Sequence, residues 1–592
     1  MPIPARWLIP EVDPQETEAL AAALHIKPPA ARVLLARELR DPEAARRFLR
    51  PSLDDLHPPA ALRGMPEAVE RLRRAIHGGE KILIYGDYDV DGTTSVVILT
   101  KAIEMAGGAA RFFVPHRLRD GYGMRSDVVE RAAAQGVRLI ISVDTGIRAA
   151  EVVRRAGELS IDVIITDHHL PEAELPAALA VLNPNRPDCG YPDKNLCGVG
   201  VAFKLVQALL ASLDWPPEKL RRVTESFLKL VAIGTVADVV PLMGENRIIV
   251  KHGLSGMGAV RNPGLRALLD VAGFTNGRLP SSTDVAFRIA PRINAAGRMD
   301  TANAVIEMFR TDDPERAREL AQQLHTLNGE RRLAEAEVIQ QIVEECARAP
   351  VADTQRALVF AADNWHRGVV GIVASRLVER FHRPVFVLSR NPEDGVAQGS
   401  GRSIRPFHLL EALEAMPELF ERFGGHRQAA GVTLASDRID AFRARLEAYA
   451  ADRLTLDDLA PQVEIDALLE FREIDERSVA EVFSLAPFGC GNPAPLFAAL
   501  NVEVAGPPVV MKEKHLRVML RQNGRSLALK AWNFADRAAE LPAGARVDVA
   551  FTLEDDAYAA ARGLPGWGAV LRDVRPASQA RAAEAPRLHS VA

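Results

Sequence analysis

The stretch KILIYGDYDVDGTTS, residues 81–95, joins a short apolar run to three aspartates and the beginning of a predicted helix. Further apolar runs follow at 111–115 (RFFVP), 138–144 (RLIISVD) and 162–167 (DVIITD). Helical patterns separate these runs near residues 93–106, 126–134 and 149–156. Strands that alternate with helices form parallel, doubly wound sheets, because their crossover connections are right-handed. The sequence therefore predicts an α/β fold with a parallel sheet in this region.

Acidic and histidine side chains close three of these predicted strands. They are Asp87, Asp89 and Asp91 after the first run, Asp144 in the third, and Asp167, His168 and His169 at the end of the fourth. Because ligands of open α/β sheets bind outside the carboxyl ends of the strands, we expect these side chains at one edge. Asp238, in GTVADVV at a predicted helix end, is expected to contribute as well. A helix N-cap or a tight turn is the competing interpretation of each single aspartate, but it does not explain the set.

The composition of this set indicates a metal centre. Carboxylates with a minority of imidazoles suit Mn²⁺ or Mg²⁺ better than zinc, which favours cysteine and histidine. We expect two ions about 3.5–4 Å apart, since such a pair activates water and stabilises an in-line displacement at phosphorus. Two ions require a bridging carboxylate, and Asp144 is well placed for that role. The four cysteines have no CxxC spacing, which predicts ordinary thiols: Cys189, Cys197, Cys346 and Cys490.

At 592 residues the chain is too long for one hydrophobic core, so we expect an α/β multidomain protein. Short alternating runs after residue 462, with turns such as Asn523-Gly524, predict a small antiparallel β-barrel. The expected divisions are an N-terminal helical segment at 1–80, the parallel-sheet domain at 81–250, a helical connector at 251–350, a second α/β domain at 351–460, the barrel at 461–575 and a flexible tail at 576–592.

Charge and hydropathy exclude two classes of protein. No run approaches the roughly 20 apolar residues that span a bilayer, and the N-terminus becomes acidic too early for a signal peptide, so we expect a cytoplasmic protein without a membrane partner. The net charge of −5 argues against nucleic-acid binding through bulk electrostatics. Any positive charge that binds DNA must therefore be local.

One local concentration of positive charge lies at 512–530. It holds Lys512, Lys514, Arg517, Arg521, Arg525 and Lys530 against the single acid Glu513. Trp532 and Phe534 follow, and basic strands with neighbouring aromatics are typical of grooves that bind single-stranded nucleic acid. The alternative interpretation is a solvated strand face with aromatic residues in the core.

Arginines among glycines mark three candidate anion-binding pieces. These are PHRLRDGYG, PRINAAGR, and the pair GSGRS and GGHRQAAG. Glycine lets a backbone approach an anion closely, and arginine binds phosphate through charge-assisted hydrogen bonds. Arg402 and His426 are the side chains expected to meet the anion in the last pair. Ordinary turns are the alternative interpretation of the same glycines.

The pieces YGDYDVDGTTS, SVDTG, TDHH and GTVADVV resemble the successive motifs of the DHH phosphoesterases. From about residue 85 to beyond 492 the chain resembles the RecJ exonucleases of that superfamily. The resemblance implies a DHH domain, a DHH-associated domain and a C-terminal OB-like barrel. It implies a metal-dependent exodeoxyribonuclease that degrades single-stranded DNA from 5′ to 3′, releases mononucleotides and acts in DNA recombination and repair.

The resemblance also implies roles for individual residues. The metal ligands are Asp89, Asp91, Asp144, His168 and Asp238. Asp87 orients water or coordinates, and His169 faces the scissile phosphate; the residue pattern alone does not separate the two histidines. The substrate is held by Arg117, Tyr122, Arg292, Asn294, Arg298, Ser400, Arg402 and His426, and in the barrel by Lys512, Lys514 and Arg517.

Single-stranded DNA is the implied substrate partner, single-strand-binding protein and a RecQ-type helicase are the implied protein partners, and a monomer is expected. Two alternatives remain from the sequence. A DHH hydrolase of small phosphates usually has only the two α/β domains, whereas this chain adds a barrel and a long connector. A non-catalytic replication scaffold would have lost metal-ligand positions, which are all filled here.

Overall fold

The fold was obtained as a computed structural model that describes residues 5–117, 119–121, 123–275, 277–560 and 562–577. The chain forms two compact units. One consists of Leu53–Pro461, and the other combines Ala5–Ser52 with the residues from Gln462 onward. The segment 1–80, expected as one helical piece, is thus divided between the units. The expected tail lies outside the described residues after residue 577.

The N-terminal part of the second unit holds a short strand and three helices that begin with proline. They are β1 (Arg6–Leu8), α1 (Pro14–Leu24), α2 (Pro28–Ala36) and α3 (Pro42–Leu49). Asp13 and Asp41 cap α1 and α3 by accepting backbone N–H bonds, which explains why these helices begin there. In the described ranges no helix alone has the length and apolarity to cross a membrane; α1 and α2, bent by 112°, pass that test only as a pair.

The first sheet of the Leu53–Pro461 unit is parallel, as predicted, in the order β3-β2-β4-β5-β6. Its strands are β2 (Lys81–Tyr85), β3 (Ala110–Phe113), β4 (Val137–Val143), β5 (Asp162–Thr166) and β6 (Ala180–Leu182). The three-residue β6 was not predicted. The helices are α4 (Met65–His77), α5 (Val90–Met105), α6 (Ser126–Ala134), α7 (Ala150–Glu158), α8 (Gly198–Ala211) and α9 (Pro217–Ala237). Alternate residues of β2 and β4 enter separate cores on the two faces of the sheet, as a doubly wound fold requires.

The connector is helical, as predicted. It consists of α10 (Gly244–Gly256), α11 (Pro263–Val271), α12 (Ser282–Asp284), α13 (Ala290–Met299), α14 (Asn303–Arg310) and α15 (Pro314–Arg348). Helix α15 is a single helix of 35 residues, and Asp313 caps it. Leu320 and Leu324 of α15 lie in the core of the first α/β domain, whereas Val338 and Ile342 lie in a core of the second. One helix thus joins both cores.

The second α/β domain has a mixed sheet in the order β10-β11-β9-β8-β7, in which only β7 and β8 are parallel. Its elements are β7 (Leu358–Asp363), α16 (Val370–Phe381), β8 (Val385–Asn391), β9 (Val396–Arg402), α17 (Leu409–Glu414), β10 (Arg422–Gly425), β11 (Ala429–Ala435) and α18 (Ile439–Ala451). The GSGR residues lie in β9 and not in a turn. A Cβ atom on Gly401 would lie 2.5 Å from the Phe386 ring, so close packing explains this glycine.

The rest of the second unit contains the predicted barrel. Its elements are β12 (Gln462–Glu464), β13 (Ala467–Leu468), α19 (Glu476–Phe483), β14 (Leu496–Val504), β15 (Val509–Met511), β16 (His515–Gln522), β17 (Arg525–Ala531), β18 (Arg546–Asp555), α20 (Ala557–Ala560) and β19 (Trp567–Pro576). The sheet order is β13-β14-β18-β19-β17-β16-β15, and a β14–β16 pairing closes it. Most neighbouring strands pair antiparallel, as predicted, whereas β13–β14 and β17–β19 pair in parallel, which the sequence did not indicate.

Candidate active site

The predicted acidic and histidine residues meet at the carboxyl edge of β2, β4 and β5. Three groups each have their candidate ligand atoms within 4.8 Å of one another: Asp87, Asp89 and Asp144; Asp144, His168 and His169; and Asp91, His168 and Asp238. Asp144 and His168 each belong to two groups. Cations bound at this edge would therefore share ligands, which a two-ion centre requires.

The beginning of α5 fixes two of the aspartates. Asp89 is the N-cap, and its carboxylate accepts a bond of 2.9 Å from the Gly92 N–H, so the capping interpretation applies to this residue. Asp91 is buried and accepts bonds from the backbone N–H groups of Gly198 (2.6 Å) and Val199 (2.7 Å) at the beginning of α8. The N-terminus of α8 thus orients Asp91 and favours its negative charge.

A third aspartate, Asp167, orients the two histidines. Its Oδ1 accepts a bond from the backbone N–H of His168 (2.7 Å) and lies 2.7 Å from Nδ1 of His169. Nε2 of His168 lies 3.3 Å from Oδ1 of Asp144 and 3.7 Å from Oδ2 of Asp238. His168 therefore faces the carboxylates that make up the predicted ligand set, whereas His169 is held by Asp167.

Electrostatics in the cluster favour a bound cation. Burial raises the pKa of the Asp144 carboxyl well above its usual range, and repulsion from Asp91 and the other aspartates adds to this effect. Burial and repulsion from Asp89 raise the pKa of Asp91 to about 7, while burial and repulsion from Asp91 raise that of Asp238 to about 9. Burial lowers the pKa of His168 to about 4, so its imidazole is neutral at pH 7 and can coordinate a metal.

Three buried polar atoms in the cluster form no hydrogen bond within the described ranges of the chain: Oδ1 of Asp87, Nε2 of His168 and Oδ2 of Asp238. Such an atom costs about 1–3 kcal/mol unless something else satisfies it. A donor set rich in carboxylate oxygen with a minority of imidazole fits Mn²⁺ or Mg²⁺. When bound, these ions would supply an acidified water and stabilise charge on phosphate oxygens.

A basic cluster adjoins this edge. The Arg117 guanidinium lies 4.9 Å from the ring centre of Tyr88, the residue between Asp87 and Asp89. Burial, with repulsion from Arg117 and other arginines, lowers the pKa of Arg298 to about 9. Burial and repulsion from Arg117 also lower the pKa of Arg402. Arginines this close together, from the sheet domain, the connector and the second α/β domain, indicate an anion site.

Ser400 belongs to the same cluster, since its hydroxyl accepts a bond of 2.8 Å from Nη1 of Arg402. His426 follows β10, and its side chain is exposed. Partial burial, then repulsion from Arg148 and from His169, lowers the pKa of His426. Tyr122 lies outside the described residues.

The PRINAAGR piece forms α13, and its residues divide between two environments. Arg298 joins the basic cluster. The Arg292 guanidinium is occupied elsewhere, since it donates to the carbonyls of Arg288 and Val271 and lies 3.3 Å from Nδ1 of His325. Arg292 therefore caps the carboxyl end of α11 instead of joining the basic cluster. Asn294 is half-buried on the same helix.

The barrel carries the predicted basic stretch on an outer face. Arg517, Met519 and Arg521 are exposed in alternation with the buried residues of β16, and Lys512 and Lys514 lie in the β15–β16 turn. Trp532 is 46% exposed and packs edge-on against His515. Phe534 is 9% exposed under Arg537, and Lys530 is paired with Asp556 at 2.6 Å. Of the two aromatics, only Trp532 can stack on a base.

Some residues that hold the histidines and Asp91 in place were not predicted from the sequence. The side-chain amides of Asn183 and Asn185 donate to the backbone carbonyls of His169 (2.9 Å) and His168 (2.7 Å) and so fix the histidine backbone. The signal available was the NPN sequence directly after the β6 run. The α8 amides that hold Asp91 had no side-chain signal at all.

Family models match three parts of the chain: "DHH family, N-terminal domain" at 81–235, "DHHA1 domain" at 354–452 and "RecJ OB domain" at 465–564. The single-stranded-DNA-specific exonuclease RecJ of Escherichia coli is 38% identical and covers 94% of this chain and 96% of its own length. That of Bacillus subtilis is also 38% identical, over 92% of this chain and 68% of its own length. The crystal structure of Thermus thermophilus RecJ with Mn²⁺ has a TM-score of 0.82 at 33% identity, covering 97% of this chain and 80% of that one. The chain therefore belongs to the RecJ family of single-stranded-DNA-specific exonucleases, within the DHH superfamily.

Proposed function

We propose that this protein hydrolyses single-stranded DNA from its 5′ end and releases mononucleotides, with two Mn²⁺ or Mg²⁺ ions. The observation that carries the proposal is the position of Tyr88. This residue lies between two aspartates of the acidic edge and under Arg117 of the basic cluster, so a site for metal and a site for phosphate are neighbours. A terminal phosphate in the basic cluster puts the nearest internucleotide bond at the acidic edge.

Each residue at the acidic edge has a proposed role. Asp89, Asp91, Asp144, His168 and Asp238 hold the ions, with Asp144 shared, and Asp87 orients the attacking water. His169 faces the scissile phosphate through Nε2, since its Nδ1 is engaged by Asp167. Burial opposes protonation of His169, but the hydrogen bond and negative charge of Asp167 together with the other aspartates raise its pKa overall, which favours an imidazolium beside the phosphate.

The proposed substrate contacts form two sets. Arg117, Arg298, Ser400, Arg402 and His426 hold the 5′ end, and Lys512, Lys514 and Arg517 of the barrel neutralise backbone phosphates of the strand. Family resemblance alone supports roles for Tyr122, Arg292 and Asn294. We propose the domain divisions given from the sequence, with residues 5–52 assigned to the barrel unit. We further propose that the protein acts in recombination and repair in the cytoplasm, as a monomer. Single-strand-binding protein and a RecQ-type helicase are its proposed partners.

The function is tested with purified protein, Mn²⁺ and an oligonucleotide labelled separately at each end, as a single strand and as a blunt duplex. We expect mononucleotides to appear first from the 5′ label of the single strand, with the duplex resistant. Early release from the 3′ label would refute the polarity. Activity restricted to dinucleotides or to other small phosphates would favour the small-substrate DHH hydrolases instead.

Arg402→Ala is expected to slow cleavage of 5′-phosphorylated strands about 10- to 100-fold more than cleavage of 5′-hydroxyl strands. Only the phosphorylated strands lose a charge-assisted contact, worth about 1.5–3 kcal/mol. The measurement is the ratio of initial rates on the two substrates. Arg445→Ala is the control, since Arg445 is exposed on α18 and paired with Glu418. An unchanged ratio in the Arg402 variant would show that this cluster does not read the phosphate.

Changing Lys512, Lys514 and Arg517 together to glutamine is expected to weaken binding of a long single strand and flatten its salt dependence. Each phosphate contact contributes about 0.7 to the slope of log K against log salt on single strands, so the slope should fall by about 2. Hydrolysis of a very short oligonucleotide should change little. Arg477→Gln, on α19, is the control. Equal losses on long and short substrates would assign these residues a structural role.

A further inference from the structure

One exposed arginine lies beside the acidic edge, outside the basic cluster. Arg148 follows Asp144 in the loop after β4, and its side chain is exposed. Nε of Arg148 donates to the carbonyl oxygen of Leu170 at 3.0 Å. Leu170 comes directly after His169 in the loop after β5 and is itself 67% exposed. The backbone of the histidine loop thus holds the Arg148 guanidinium next to the proposed ion positions.

The rest of this guanidinium is available to an anion. Among the residues that the structure describes, no carboxylate pairs with Arg148, and its terminal nitrogens Nη1 and Nη2 form no hydrogen bond. Its charge also acts on the second α/β domain: partial burial lowers the pKa of His426, and repulsion from Arg148 and from His169 adds to this effect. An arginine that is anchored through Nε and keeps both terminal nitrogens free can bind a phosphate group.

The order of the strands indicates the order of the sites along this edge. The sheet runs β3-β2-β4-β5. Arg117, which follows β3, contacts Tyr88, which follows β2, so the basic cluster adjoins the β3–β2 end. Arg148 and Leu170 follow β4 and β5, at the other end of this order. A strand that has its 5′-phosphate in the basic cluster and its scissile bond at the acidic edge therefore continues towards Arg148.

We propose that Arg148 binds the DNA phosphate that follows the scissile phosphate on its 3′ side. This inference rests on the proposed 5′ exonuclease function and adds a contact beyond the second nucleoside of the strand. That phosphate does not react, so the contact is equally strong before and during cleavage and changes KM more than kcat. The alternative role is a brace that only holds the histidine loop through Leu170, and a brace acts on every substrate alike.

Two short substrates separate these roles. A 5′-phosphorylated trinucleotide carries a phosphate beyond the scissile one, whereas a 5′-phosphorylated dinucleotide does not. Arg148→Gln is expected to lower the ratio of kcat/KM on the trinucleotide to kcat/KM on the dinucleotide about five- to tenfold, because one charge-assisted contact is lost. Arg138→Gln is the matched control, since Arg138 is exposed on the same strand at the opposite edge of the sheet, and it should keep the wild-type ratio. A wild-type ratio in the Arg148 variant, even with both rates lowered, would overturn the proposal.

The same contact can be removed from the substrate instead of the protein. A methylphosphonate at the second internucleotide linkage of the trinucleotide neutralises the phosphate in question. We expect it to raise the KM of the wild type by about the same factor as Arg148→Gln does, with little further loss when the two changes are combined, because both remove one interaction. Losses that multiply in the combination would contradict a direct contact. Failure of the proposed function is a separate outcome, since the wild type would then release no mononucleotide from the 5′ end of the unmodified trinucleotide.

Discussion

Asp144→Ala is expected to lower turnover at saturating Mn²⁺ by at least about a hundredfold. Asp144 is the carboxylate that two of the three ligand groups share, so its loss affects both proposed ion positions at once. A tenfold loss corresponds to only about 1.4 kcal/mol of barrier, which the loss of one peripheral contact could produce. Retention of more than about a tenth of wild-type turnover would therefore contradict a shared ligand at this position.

The same variant has a second expected result that separates chemistry from folding. Burial and repulsion from neighbouring aspartates raise the pKa of Asp144, so in the metal-free protein its charge opposes folding. Alanine removes that repulsion, and the melting temperature in EDTA should stay equal or rise. Added Mn²⁺ should stabilise the wild type more than the variant, because a ligand that binds only the native state raises its stability. A collapse of the fold in EDTA would instead assign Asp144 a structural role.

The acidic edge could be predicted from the sequence because the geometry of a parallel sheet determines it. Residues directly after strands of one direction meet at one edge, so the positions of Asp87, Asp144 and Asp167 followed from the strand predictions alone. The backbone groups that hold these side chains in place could not be predicted in the same way. The α8 amides that hold Asp91 come from residues more than a hundred positions away and carry no distinctive side chain.

The PRINAAGR motif shows a second limit of prediction from sequence. Arg292 and Arg298 are six residues apart on α13, and at 100° per residue they point to different faces of the helix. Only Arg298 reaches the basic cluster, whereas Arg292 caps α11. The motif resemblance implies that both contact the substrate, and the role of Arg292 stays a prediction. The identity of a residue alone does not reveal which face of a helix meets the site.

Pairing between strands that are distant in sequence explains why the segment 1–80 is divided between the two units. Strand β1 has three residues and pairs in parallel with β12, which begins at Gln462. Within the same unit, Arg37 forms a partly buried ion pair with Asp466 at 2.9 Å. Such short strands have no recognisable periodicity, and nothing local to the first fifty residues indicates a partner so distant in sequence. The helices themselves were predictable from their proline and aspartate starts, but their place in the fold was not.

Gly198→Ala is expected to reduce Mn²⁺ affinity at least about tenfold and turnover about a hundredfold, although it removes no ligand. A Cβ atom at this position would lie 2.6 Å from both Cβ and Oδ1 of Asp144. The Gly198 N–H also holds Asp91 at 2.6 Å, so any shift of α8 that relieves the clash displaces a second aspartate. Helix propensity alone would favour alanine by about 1 kcal/mol, so the loss must come from the displaced carboxylates.

The measurement is Mn²⁺ binding by calorimetry together with hydrolysis of a labelled single strand. Gly157→Ala is the matched control, since Gly157 lies in helix α7 of the same domain and a methyl group there meets nothing within 4 Å. We expect this control to bind Mn²⁺ and cleave DNA like the wild type. If Gly198→Ala also keeps full Mn²⁺ affinity, the carboxylates tolerate displacement, and the sharing of Asp144 between two ions loses its geometric basis. If its affinity falls while Gly157→Ala is unaffected, the close approach of α8 to Asp144 is a requirement of the metal centre and not of the fold.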